Sequence, residues 1–156
     1  MQAAVLEDYL HRHIPLAKAM GIRVVSAEPD AVTLHAPLAP NINHRETVFG
    51  GSAAAAAMLA AWSLVHTRLR DAGIEARVVV RRHSMAFDAP MADDFAVRAF
   101  LSRPPDWDDF LRRLARKGIA RIAVTAVLGC GQDDAASFDG EFVALRVPEA
   151  EHGAPS

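Results

Sequence analysis

The stretch Asn41–Trp62, NINHRETVFGGSAAAAAMLAAW, decides the fold. It opens with polar Asn41, Asn43, His44 and Glu46, passes through Gly50 and Gly51, and becomes small and apolar from Ala53 onward. No Asp, Glu, Lys or Arg lies between Thr47 and Thr67, a length close to a bilayer span. Alanine, glycine and serine dominate, however, and the strongly inserting Leu, Ile, Phe and Val are sparse, so a membrane span is rejected. A helix buried inside a soluble fold explains the same composition. It is expected over Gly50–Asp71, ended by Gly73 just past the cap. At about 1.5 Å per residue it runs roughly 30 Å. Its small side chains let a curved sheet approach and wrap it.

Working outward, Leu6–Met20 reads as a helix, bent or restarted at Pro15 and ended by Gly21. Ile22–Ala27 and Ala31–Ala36 read as strands of a hairpin, with Glu28-Pro29-Asp30 as the turn. Pro37–Val48 is a loop. Beyond the long helix, strands are expected at 76–80, 83–87, 95–101, 119–128 and 141–147, the last two joined through GCGQDDAASFDG. Asp88–Asp94 reads as a turn without chemistry. Asp106–Lys117 reads as a short helix, striped by Phe110, Leu111 and Leu114 and capped by Asp106. Helix, two strands, long helix, then more strands is an α+β pattern: an antiparallel sheet with a helix on one face. Edge-to-edge dimerisation is one way to hide its open edge.

At 156 residues the chain is expected to form one domain, with a core over about 10–147 and a frayed tail at 149–156. A net charge of −2 with no concentrated basic patch argues against a nucleic-acid partner. A single cysteine, Cys130, permits no internal disulfide and fits a reducing, cytoplasmic compartment; within IAVTAVLGCG it reads as a small buried hydrophobe. The start, MQAAVLEDYLHRH, lacks the apolar run of a signal peptide. His11 and His13 point to different faces of a helix and no other His/Cys cluster exists, so no metal site is expected. There is no G-x-S-x-G elbow and no nucleotide-binding loop.

The runs IPLAKAMGI, APLAPNINHRETVFGGS and LAAW, with the later FDGEFVAL, together resemble the thioesterase domains of the YiiD C-terminal type, in the hotdog superfamily. The resemblance spans about Leu10–Val147 and implies a hotdog fold: a long central helix wrapped by a curved antiparallel sheet. It also implies a homodimer or dimer of dimers, with an acyl-thioester site at the subunit interface. Coenzyme A would enter as part of the substrate; no separate cofactor is implied.

Thioester hydrolysis needs donors for the carbonyl oxyanion, an aimed water with a proton acceptor, and an apolar slot. Gly50 and Gly51 stand where the loop becomes the helix, so their N–H groups lack helical partners and sit at the positive end of the dipole. Glycines there can equally serve a turn. Asn43 lies seven residues before Gly50, a separation that the resemblance to PaaI-type enzymes gives to an asparagine orienting water or substrate. Asn41 and Asn43 can equally satisfy loop backbone. Those enzymes carry a carboxylate on the helix eight residues past the first glycine; here that position is Met58. Glu46 and His44 are the substitutes the loop offers as base. Thr47, Phe49, Ser52 and Met58 are candidate substrate contacts, and Arg81 and Arg82 candidate contacts to the phosphates of coenzyme A. Ser63 and His66 could face a partner subunit. The alternative is a non-catalytic acyl-CoA or lipid-binding module, favoured by Met58. A hotdog dehydratase would want a paired His and acid, which is not found.

Overall fold

The structure, a computed structural model, describes residues 1–148. The tail expected over 149–156 lies outside the described residues. The elements in chain order are α1 (Ala3–His13), α2 (Pro15–Ala19), β1 (Arg23–Ala27), β2 (Ala31–Ala36), α3 (Gly50–Asp71), β3 (Ala76–Phe87), β4 (Phe95–Leu101), α4 (Asp106–Lys117), β5 (Ile119–Cys130) and β6 (Asp133–Arg146). Among the described residues the strands form one antiparallel sheet in the order β1-β2-β4-β5-β6-β3.

The alanine run is the long helix, and the helix is central. Ala53, Ala56, Ala57, Ala60 and Ala61 are all buried, and α3 packs on β2, β3, β4, β5 and β6. Methyl-sized side chains on that face let the sheet curve closely around it. The helix ends as the sequence requires. Gly73 adopts φ 72°, its N–H reaches Arg70 O at 3.0 Å, and Ile74 N–H reaches Leu69 O at 2.9 Å. That is a Schellman closure, in which a Cβ would be strained. Among the described residues no helix is long and apolar enough to cross a membrane.

Alternation along β4 buries Phe95, Val97, Ala99 and Leu101 against α3. Phe138 and Phe142 do the same from β6, both fully buried, and Gly140 between them leaves room for their rings. The stripe of α4, Trp107, Phe110 and Leu114, is buried, with the Arg68 guanidinium 4.4 Å from the Trp107 ring centre.

Four expectations need correcting. The segment GCGQDDAASFDG is not a loop: β5 runs on to Cys130 and β6 starts at Asp133. A register shift at Gly129, where a Cβ would sit 2.1 Å from Asp133 O, makes so tight a turn possible. Strands 76–80 and 83–87 are one strand, bulged between Val80 and Arg82. The helix over 6–20 restarts at Pro15, one of the two outcomes expected: Pro15 opens α2 at its first turn, where its missing N–H costs nothing. Asp106 does not cap α4; it lies inside the first turn, 3.8 Å from Arg103. Cys130 is half-buried, with Sγ 3.5 Å from Asp93 O.

The two sheet edges differ. Helix α1 closes the β1 edge: Glu7 Oε2 accepts from Val24 N–H at 2.9 Å, and His11 Nε2 donates to Ile22 O at 2.7 Å. At the β3 edge, Trp62 Nε1 donates to Val78 O at 2.8 Å. Val79 and Phe87 on that strand are about half exposed.

Candidate functional site

Two short ties set the start of α3. Phe49 N–H donates to Asn41 O at 2.8 Å, and Val48 N–H to Met91 O at 2.8 Å. Asn41 itself is a lock. It is buried, and its Nδ2 donates to Met20 O at 2.9 Å and Pro37 O at 2.8 Å. That side chain satisfies loop backbone, one of the two roles the sequence left open.

The loop from Asn43 to Thr47 is folded by Asn43. Its Oδ1 accepts from Arg45 N–H at 2.8 Å and Thr47 N–H at 3.1 Å, and its Nδ2 donates to Thr47 Oγ1 at 2.9 Å. One Nδ2 hydrogen is left over, since the amide carries two. Glu46 sits at φ 62°, a left-handed conformation that side chains rarely adopt. The turn brings the chain back on itself, with Ile42 bridged to Val48. His44 and Glu46 are exposed on it.

Beyond the loop, the first amide with a helical partner is that of Ala53, which reaches Phe49 O at 3.0 Å. Among the described residues the N–H groups of Gly50, Gly51 and Ser52 have none, and no side chain caps the helix. No acidic residue stands in the first turn, so the positive end of the dipole is uncompensated there. A cavity of about 260 Å³ opens beside Gly50, walled by Val48, Ala53, Phe87, Asp88 and Met91. The Phe87 ring lies 3.6 Å from where a Gly50 Cβ would be. The Phe49 ring lies over Gly51, 2.5 Å from the position of a Cβ, so that ring and any larger residue at Gly51 compete for one space. Larger depressions of about 460 and 550 Å³ flank α4 and contain none of the helix-start residues.

Of the residues nominated from the sequence, Gly50 alone lines this cavity. Asn43, Thr47 and Ser52 are half-buried nearby in the chain, and Phe49 is exposed. Met58 packs against the core from α3. Arg81 is not brought to the site; its guanidinium pairs with Glu141 at 3.0 Å. Arg82 lies five residues back along β3 from Phe87, roughly 16 Å in an extended strand. Ser63 and His66 are buried towards the other end of α3.

Sequence reading did not place Asp88 at this cavity. The segment DAPMADD looks like a plain turn, but β3 delivers it to the start of α3. Asp88 N–H and Ala89 N–H both donate to Ala135 O, at 2.9 and 3.0 Å, which fixes Asp88 against β6. The available signal was topological: an acid directly after the strand that crosses the helix start.

A curved antiparallel sheet around one long helix, with Gly50 opening that helix on a cavity, is the architecture of a hotdog-fold protein. Residues 3–146 match the family described as "Putative thioesterase (yiiD_Cterm)", and the chain belongs to that family. Solved structures agree. A protein of unknown function from Chlorobaculum tepidum TLS superposes with a TM-score of 0.87 at 28% identity, over 93% of this chain and 94% of that one. A Shewanella oneidensis protein described as a putative thioesterase gives 0.82 at 27%, over 94% and 97%. A Pseudomonas aeruginosa protein described as a probable thioesterase shares the fold, with 0.81 at 20% over 94% and 97%.

Proposed function

We propose that this protein hydrolyses acyl thioesters, with acyl-CoA as the substrate and coenzyme A as the leaving group. The observation that carries the reading is the set of unpartnered amides at Gly50 and Gly51, beside a cavity at the positive end of α3. A carbonyl oxygen that gains charge during attack would accept from these N–H groups. Preorganised donors of this kind stabilise such a transition state by about 3–4 kcal/mol each. The remaining Nδ2 hydrogen of Asn43 serves to hold the attacking water. Thr47, Phe49, Ser52 and Met58 would contact the acyl thioester outside the cavity that Gly50 lines. Arg81 and Arg82 would meet the phosphates of coenzyme A across a homodimer paired through the open edge of β3. The protein works in the cytoplasm and needs no further cofactor.

A binding module is the second reading, favoured by Met58 where related enzymes carry a carboxylate. A panel of short, long and aromatic acyl-CoAs with a thiol-trapping dye separates the two. Thiol release supports hydrolysis. Binding by calorimetry without release on any substrate would replace it with the module.

A further inference from the structure

We infer that Asp88 is the general base of this hydrolysis, taking a proton from the attacking water in the cavity at the start of α3. The inference rests on the thioesterase reading and adds to it the residue that the helix lacks. Helix α3 has no carboxylate before Asp71, which is at its far end and is bound to the Met1 ammonium at 2.8 Å. Among the described residues lining the 260 Å³ cavity, Asp88 alone has a titratable side chain. His44 and Glu46 do not line it.

Asp88 is exposed, and two further observations bear on its role. The first is that Asp88 sits on a clamped segment. Its own N–H and that of Ala89 are held by Ala135 O, and Met91 O is held by Val48 N–H two residues before Gly50. The Asp88 backbone is thereby held at the cavity that Gly50 lines, and the Phe87 ring lies 3.6 Å from the position of a Gly50 Cβ. The second is that the carboxylate has no hydrogen-bond or ion-pair partner among the described residues, so its lone pairs are free for a water. The other named walls, Val48, Gly50, Ala53, Phe87 and Met91, are apolar and leave a water few competing partners.

The step balances without a co-reactant. Asp88 takes one proton as the water oxygen bonds to the thioester carbon, and the carbonyl electron pair moves to the oxygen facing the Gly50 and Gly51 amides. The pair returns, the C–S bond breaks, and the thiolate leaves with the proton from Asp88. Acid and thiol result.

Hydrolysis and hydroxylaminolysis of the same acyl-CoA by Asp88→Asn, Glu46→Gln and His44→Gln test this. Hydroxylamine is a strong nucleophile that depends little on a base but still needs the oxyanion donors. Asp88→Asn should lower kcat for hydrolysis about a hundredfold or more, leave KM within a few-fold, and keep hydroxamate formation near the wild-type rate. Glu46→Gln and His44→Gln should hydrolyse within a few-fold of wild type. If Asp88→Asn hydrolyses at the wild-type rate, or loses both reactions alike, the base assignment is overturned while the thioesterase reading stands. A wild-type protein that releases no thiol from any acyl-CoA overturns both. Matching melting curves for Asp88→Asn and wild type exclude a folding defect.

Discussion

Lowering the pH from 7.5 to 5.0 is expected to weaken the fold by about 2 kcal/mol through one side chain, His66. Its ring is buried on α3, stacked 4.5 Å from Trp62 and 4.8 Å from Tyr9, and its Nε2 has no hydrogen-bond partner. Burial first, and the Arg70 guanidinium second, lower its pKa from 6.5 to about 4. The surrounding cavity of about 380 Å³ also holds Glu75 and Arg77. A lowered histidine pKa means that the unfolded chain takes up the proton first. Stability is therefore complete above pH 6.5, falls as the pH drops through 6.5, and levels off below about 4. At about 1.4 kcal/mol per pH unit, the limiting loss is about 3 kcal/mol, of which about 2 has accrued at pH 5.0. The assay is urea unfolding at both pH values for wild type and His66→Phe, which keeps a ring in the stack and sacrifices no hydrogen bond. Every other side chain is common to both proteins, so the difference isolates His66. The wild type should lose about 2 kcal/mol more than the variant. Equal losses would refute the argument that burial holds His66 neutral.

Three further substitutions probe the fold and the helix start. Gly140→Ala would put a Cβ 2.6 Å from the Phe138 ring and 3.1 Å from the Phe142 ring, both fully buried, so overpacking should cost about 1–3 kcal/mol in urea unfolding; an unchanged midpoint would show that the rings yield freely. Glu46→Gly relieves the φ 62° backbone and should stabilise by roughly 1 kcal/mol, read as a rise in melting temperature, whereas a fall would mean that the side chain itself holds the loop. Asn41→Ala removes the donors to Met20 O and Pro37 O from a buried site and should cost about 2–3 kcal/mol, with urea unfolding again the measure and a loss below half that arguing for replacement by water.

Much of the fold was legible because its signals are local. The alanine run with a glycine pair before it and Gly73 after it marks α3 end to end, and the alternation of Phe95–Leu101 marks β4. The misread places are those where a strand is set by its neighbour. Residues Ala136–Gly140 are mostly polar or small, yet they pair with both β3 and β5, and those two ladders override a weak local preference. The bulge at Arg81, which merges two short runs into β3, is likewise a fact of register.

The site divided the same way. Gly50 and Gly51 could be picked out in the sequence, because a helix must begin with unpaired amides wherever it begins. The fate of each asparagine depended on what folded around it: Asn41 met two buried carbonyls, and Asn43 met its own loop. Asp88 was beyond local reading altogether. Thirty-eight positions separate it from Gly50 in the chain, and only the return of β3 along α3 sets them at one cavity. The sequence alone determined the elements and the exposed amides, since both follow from short-range backbone chemistry. Tertiary structure alone decided which acidic residue shares a cavity with Gly50, since that depends on how a sheet closes around a helix.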